Sequence, residues 1–390
     1  MKNILVLILL SLGLSMAINA QNVPPAKAGL DGRILSGLAG FKGGVWIYAK
    51  NLDTGKDYSF RGDEPVRTAS TIKLPIMAEV FRQISIGKIK WDDELVLTKE
   101  KKKGGSGILF EFSDNTKLDL RTAVNLMIVV SDNTATNLVL DKVSSDSINE
   151  FMNALDLKAT LSLRKVFGGG ESKAWADEAN KKFGLGRSTP RDMVRLLEML
   201  EKGEVVSKEA SAEMIAILKR QQLKDGIGRG LTKIESASKS GALDALRSDV
   251  GIIYSPAGRI AMAITVDEMP LVAYNQENPG LAMIWKLSQI LQDGLGGMEI
   301  GSQNLVPIAP AGFKPEKGYV PDAKTAIAIA VAAWIPIYGK KHIDGEKPYN
   351  AELKNGIWRV TGTLKTEVGG VAEAEISQET GCILKIVHGK

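Results

Sequence analysis

Ser70-Thr-Ile-Lys73 sets a hydroxyl and an amine three residues apart, which on a helix means one turn apart on a shared face. Leu74, Met77, Val80 and Phe81 follow at helical spacing, so Ser70 is expected at a first helical turn, where backbone N–H groups favour developing negative charge. Buried beside other cations, Lys73 would lose its proton near neutral pH and act as base for Ser70. Ser131-Asp-Asn133 brings a second hydroxyl that can relay a proton to a leaving nitrogen, and an amide that can hold a substrate amide. Lys239-Ser-Gly241 adds a positive charge, a further hydroxyl at Ser240 and a glycine that admits a substrate backbone. The Ala242 N–H would complete an oxyanion hole with that of Ser70. Arg247, eight residues beyond Lys239, has the fork geometry to clamp a substrate carboxylate.

The chain has 2 histidines, and both, His342 and His388, lie far towards the C-terminus. A Ser-His-Asp triad within the first 300 residues is thereby excluded, and serine chemistry there needs a lysine or carboxylate base. A lone C-terminal histidine such as His388 is more often structural than a ligand or an acid. Cys382 is the single cysteine, so no intramolecular disulfide forms. One cysteine and two distant histidines make no zinc site around Ser70, and neither metal nor cofactor is expected. A net charge of +5 is modest. The run Lys99-Glu-Lys-Lys-Lys103 reads as a solvated loop, and no nucleic-acid footprint appears.

These groups need elements to carry them. Val45–Lys50 is expected as a strand, with a turn at Asp53-Thr-Gly55. Thr68–Ile84, Leu120–Val130, Thr136–Leu140, Met193–Leu200 and Ala212–Leu218 have the apolar spacing of helices. Beyond Lys239 the pattern becomes strand-like: Asp249–Tyr254, a turn at Ser255-Pro-Ala-Gly258, then Arg259–Val266, closed by a helix over Leu281–Leu291. A strand at one end and a hairpin at the other imply an antiparallel sheet joining both ends, with an all-helical lobe inserted between.

At 390 residues the chain suggests two domains. Lys2, the apolar run Ile4–Leu14 and a cut after Ala20 read as a secretory leader, residues 1–20, whose run is too short to span a bilayer. A soluble periplasmic or secreted protein without a membrane span is expected. Residues 29–300 form the serine domain and 301–318 a proline-rich linker. Residues 319–390 form a small α+β domain of a helix at Asp322–Tyr338 and a strand meander from Tyr349 to Val387.

With Gly105-Ser-Gly-Ile-Leu109, Ser188-Thr-Pro-Arg-Asp-Met193 and Arg247-Ser-Asp-Val-Gly251, the three motifs make residues 29–297 resemble the class A β-lactamases and related penicillin-recognising serine enzymes. The resemblance implies an α/β (α+β) transpeptidase-like fold. It also implies Ser70 as acylated nucleophile, Lys73 as its base, Ser131 as proton shuttle, and Lys239 with Ser240 as the holder of a substrate carboxylate. The family's lactamases activate the deacylating water with a loop glutamate followed four residues later by Asn. Here the loop offers Glu171, Asp177 and Glu178, none at that spacing from Asn180. Tyr338-Gly, Glu346-Lys-Pro-Tyr349, Trp358-Arg-Val-Thr-Gly362, Gly369-Gly-Val-Ala-Glu373 and His388-Gly-Lys390 resemble nuclear transport factor 2-like immunity proteins, implying a cone of curved sheet that binds a protein partner or ligand. The expected function is opening of β-lactam rings, small-molecule substrates, through a Ser70 acyl-enzyme. The alternatives are a D-alanyl-D-alanine-type peptidase or esterase acting on cell-wall peptide, and a non-turnover penicillin-binding sensor or immunity protein.

Overall fold

The structure is a computed structural model that describes residues 29–231, 234–296, 315, 317–365 and 369–389. The expected leader and residues 301–314 and 316 of the expected linker lie outside them. The chain divides into two compact units, residues 1–300 and 301–390.

In the first unit, α1 (Leu30–Leu38) precedes β1 (Gly44–Asn51) and β2 (Asp57–Phe60). The turn between the strands is held by the Asn51 Oδ1, which accepts the N–H groups of Asp53 and Thr54 at 3.0 and 3.1 Å. After the helical lobe come β3 (Glu235–Leu243), β4 (Leu246–Ser255) and β5 (Gly258–Asp267). The five strands lie in the order β2-β1-β5-β4-β3, every pair antiparallel. Both ends of the segment thus meet at the β1–β5 pair, as the strand-first, hairpin-last pattern predicts.

Alternation along the strands explains the layering. Val45, Ile47 and Ala49 of β1 and Ile260, Met262, Ile264 and Val266 of β5 pack with Ile34 of α1 and Ile284, Leu287 and Leu291 of α8 (Pro279–Leu295). The opposite face carries Tyr48, Val250, Ile252, Ala261 and Ala263 into the core of the helical lobe. Alanines on that face let helices approach closely. Each fully buried Ile or Leu there stabilises the fold by roughly 1.5–3 kcal/mol over an exposed one.

The lobe is built from α2 (Lys73–Ser85), α3 (Leu120–Val129), α4 (Asn133–Val143), α5 (Ser145–Ala154), α6 (Pro190–Lys202) and α7 (Lys208–Lys219). The expected helix over Thr68–Ile84 is split: a 3-10 turn over Ala69–Ile72 leads into α2. Thr71 Oγ1 donates to the Thr68 carbonyl at 2.8 Å, tightening that turn, and Pro75 falls in the first turn of α2, where a missing N–H costs nothing. The third motif sits inside β3, so the strand begins before Lys239, at Glu235.

The second motif is fixed by its middle residue. Asp132 is fully buried and caps α4, its Oδ1 accepting the Ala135 N–H at 2.8 Å. Its Oδ2 accepts from Ile108 and Leu109 at 2.7 and 2.8 Å, tying the 105–109 loop to the motif. Gly107 is obligatory at this approach, since a Cβ there would stand 2.2 Å from the Asp132 carboxylate.

The second unit pairs α9 (Ala323–Tyr338) and α10 (Lys340–Gly345) with a four-stranded antiparallel meander: β6 (Asn350–Lys354), β7 (Ile357–Thr361), β8 (Ala372–Ser377) and β9 (Ile383–His388). Trp334, Ala326 and Ala330 of α9 cover Trp358, Val360, Ala374 and Ile376. No helix among the described residues is long and apolar enough to cross a membrane.

Asp132→Ala leaves three backbone donors without their acceptor. The expected loss is about 3 kcal/mol or more of the first unit's stability, measured by urea denaturation. An unchanged midpoint would mean that the 105–109 loop is held by other contacts.

Candidate active site

Ser70 sits in the 3-10 turn, directly before α2, and the residue ahead of it, Ala69, holds a left-handed backbone at φ 46°. Ser131 is likewise left-handed at φ 55°, at the corner where α3 hands over to α4. Strain at two non-glycine residues beside one site is a cost that only a well-braced surrounding sustains.

Ser131 Oγ is the meeting point. Lys73 Nζ donates to it at 3.1 Å, and Lys239 Nζ donates to it at 3.0 Å. Lys73 also bonds the Ser131 carbonyl at 2.7 Å and Asn133 Oδ1 at 3.0 Å, while Lys239 bonds the Ser240 carbonyl at 2.7 Å. Both lysines are fully buried. Desolvation, aided by the nearby charge of Lys239, holds the Lys73 amine well below the ordinary lysine range, against a pull upward from Asp132. Desolvation brings Lys239 down to about 7, opposed by Asp249. Asp249, opposite Ser240 on β4, is itself pushed up to about 6 by burial. Burial thus shifts Lys73 towards the free amine, and Lys239 stands near its midpoint at neutral pH.

Gly241 brings the strand to the nucleophile. A Cβ at that position would lie 2.8 Å from the Thr68 carbonyl and 3.1 Å from the Ser70 nitrogen, both backbone atoms. Only glycine lets β3 run so close. Ser70, Ser131, Asn133, Ser240, Gly241 and Ala242 together line one cavity of about 870 Å³. The arrangement offers a hydroxyl at Ser70, an amine one turn on whose proton affinity burial lowers, a second hydroxyl between two amines, and a strand beside the cavity.

Residues 30–295 match the model of the beta-lactamase enzyme family. The chain belongs to that family. Beta-lactamase 3 of Bacillus cereus is 26% identical over 213 residues, 54% of this chain and 65% of its own length, so this chain spans less than two thirds of that relative. The solved β-lactamase of Sphaerobacter thermophilus is 29% identical with a TM-score of 0.60, covering 69% of this chain and 98% of its own. A protein called PBP-A, 23% identical, shares the fold at the same TM-score, over 69% of this chain and 96% of its own. Residues 325–390 match the NTF2 fold immunity protein family.

Within this β-lactamase-family domain, the expected loop carboxylates turn away from Ser70. Glu171 accepts the Gly169 N–H at 3.0 Å, Asp177 caps a single helical turn through the Ala179 N–H at 2.9 Å, and Glu178 pairs with Lys181 at 2.6 Å. None of the three lines the cavity. Asn180 is committed to the Ala174 carbonyl and Arg187. The stretches that do reach the cavity are 164–167 and 181–185, and in the first the Asn137 amide clamps the Val166 N–H and carbonyl at 2.9 and 3.1 Å. Phe167, exposed and left-handed at φ 63°, and the three glycines after it, all at positive φ, carry the chain round that corner.

Arg247 is the other departure. Paired with Ala242 across β3 and β4, its guanidinium donates to the carbonyls of Leu243, Leu246 and Ala273 and stacks on Tyr274. Unpaired carbonyls at the hairpin end claim the fork that a substrate carboxylate would need, and Arg247 does not line the cavity. Sequence reasoning missed the cations that do: Arg67, Arg164, Lys165, Lys181 and Lys182, with no Asp or Glu among the described lining residues. It also missed Asp249, whose partnership with Lys239 follows from strand register and has no local signature.

Two outcomes follow from this geometry. Gly241→Ala forces β3 off the Ser70 turn and is expected to slow acylation at Ser70 at least tenfold with the fold retained, checked by stopped-flow acylation and circular dichroism. In the pH profile of kcat/KM with an anionic substrate, activity rises as pH climbs through the lowered pKa of Lys73, because the free amine is the base. It falls again near 7 as Lys239 loses its charge, and Lys239→Arg, permanently charged, should flatten that alkaline limb.

Proposed function

We propose that this protein is an exported serine hydrolase that opens β-lactam rings through an ester at Ser70. The observation that carries the reading is Ser131 Oγ held at 3.0–3.1 Å from two fully buried amines. Neutral Lys73 takes the Ser70 proton as Oγ attacks the lactam carbonyl. The N–H groups of Ser70 and Ala242 receive the developing oxyanion, and Ser131 passes a proton to the ring nitrogen as the C–N bond breaks. Asn133 has one amide oxygen on Lys73 and its NH₂ on the Gly104 carbonyl at 2.9 Å, so it orders the base as well as the substrate side chain. Lys239 with Ser240 holds the substrate carboxylate, and the cationic lining favours an anionic ligand. Export rests on the leader read at residues 1–20.

The absence of a carboxylate among the described lining residues supports a second reading, in which acylation outruns hydrolysis and the protein behaves as a penicillin-binding sensor. A missing proton-transfer partner slows a step by roughly 10²–10⁴. Intact mass of the protein with a chromogenic cephalosporin, read alongside absorbance, separates the two. Colour far beyond one equivalent with little adduct means turnover. A lasting adduct, absent in Ser70→Ala, means a trap. Neither adduct nor colour would overturn both readings. If the adduct lasts, Val166→Glu, which puts a carboxylate at a cavity-lining position, is expected to shorten its life by up to about 10²-fold.

A further inference from the structure

The chain's two histidines, 46 residues apart in sequence, meet in the second unit. His342 Nε2 lies 2.9 Å from His388 Nε2, and both face Glu346 Oε1, at 3.2 and 2.9 Å. His342 and Glu346 are one turn apart at the end of α10, and His388 is the last residue of β9. Glu346 is 8% exposed. Its second oxygen accepts the Ala372 N–H at 2.8 Å, and a Cβ on Gly362 would stand 2.1 Å from it, so the carboxylate sits in a niche that only glycine leaves open.

The hydrogen count at this cluster is short. His388 Nδ1 lies 2.7 Å from the Gly389 carbonyl, which accepts only, so Nδ1 carries the proton. When that ring is neutral, its Nε2 presents a lone pair aimed at a carboxylate oxygen and at a second imidazole nitrogen, and the three atoms share at most one hydrogen, from His342. The Gly389 carbonyl and Glu346 raise the proton affinity of His388, so the cluster draws a positive charge that a proton or a metal cation can supply. The fixed Nδ1–H···O=C bond and the Ala372 N–H on the free carboxylate oxygen are the outer contacts that orient metal-binding imidazoles and carboxylates.

We propose that His342, His388 and Glu346 form a binding site for a divalent transition-metal cation of the zinc class. Two imidazole nitrogens and one carboxylate oxygen suit such an ion, with a fourth position left for water or an external ligand on the side of exposed His342. Bonds of about 2.0–2.1 Å in a tetrahedral site would set the donor atoms roughly 3.3 Å apart. The observed 2.9–3.2 Å needs an opening of a few tenths of an ångström, which rotation of His342 supplies. The site stands apart from Ser70 chemistry and does not rest on it.

The test is calorimetric titration of the full, untagged chain, first freed of metal by chelator, with zinc chloride. One equivalent is expected to bind, weakened at least about tenfold in His388→Ala, Glu346→Gln and His342→Ala. Cobalt(II) should give the visible absorption of a four-coordinate ion and lose it in His342→Ala, a change at an exposed side chain that leaves the core of the unit in place. Failure of zinc to bind, or binding unchanged in all three variants, would overturn the assignment. Acylation of Ser70 by a β-lactam, measured in the same samples, should be indifferent to zinc, so its failure would speak to the serine chemistry alone.

Discussion

The constraint on which the first unit depends is the burial of two amines around one hydroxyl. A buried ammonium without a counterion is costly enough that proteins shift its pKa or pair it. Here the two lysines are treated differently. Lys239 has Asp249 in the adjacent strand, which pulls it back towards its charged form. Lys73 has Asp132 pulling it upward, and Lys239 pushes against it. The asymmetry sets them apart: one amine is driven well below the usual lysine range by burial and a like charge, the other is kept near 7, with the charge of a carboxylate opposing the fall. Ser131 Oγ touches both and so connects them.

That arrangement needs three segments far apart in sequence to hold their positions within a few tenths of an ångström. The sheet supplies Lys239, the corner between α3 and α4 supplies Ser131, and the 3-10 turn and the α2 start that follows it supply Ser70 and Lys73. The left-handed residues Ala69 and Ser131 are the local cost, and the bracing is visible in Asp132 with its three backbone donors and in Gly241 pressed against Thr68. Precision at the site is thus produced by polar pins in the lobe and by close backbone contact at the strand. The apolar core sets the approximate arrangement.

Much of this was legible in the sequence because it is local. Spacing placed Ser70 and Lys73 on one turn, the capping types marked the corner at Ser131, and period-two patterning beyond Lys239 revealed the closing hairpin. What was not legible depends on register and on which way a side chain turns. Asp249 is a polar residue in an apolar strand until pairing sets it opposite Ser240. Arg247 lies eight residues after Lys239, but the hairpin folds it back opposite Ala242, where carbonyls of its own chain occupy it. His342 and His388 read as unrelated because their meeting depends on α10 docking at the end of β9.

The loop from Arg164 to Leu185 shows the same limit in its chemical form. Three carboxylates in the right stretch looked like candidates for a water-activating base, yet each is bound by its own neighbourhood: a backbone N–H for Glu171, a helical turn for Asp177, a lysine for Glu178. The residues this loop brings to the cavity include Arg164, Lys165, Lys181, Lys182 and two phenylalanines, Phe167 and Phe183, beside Val166, Gly184 and Leu185. Several of these cations are themselves engaged, Lys165 with Asp141 and Lys181 with Glu178, so the lining is less positive than its composition suggests. Among its described lining residues the cavity offers no carboxylate to act as a general base. On the proposed route the base for acylation is Lys73, which lies buried behind that wall. With no carboxylate among the described lining residues, that route would leave release to draw on the same amine as attack.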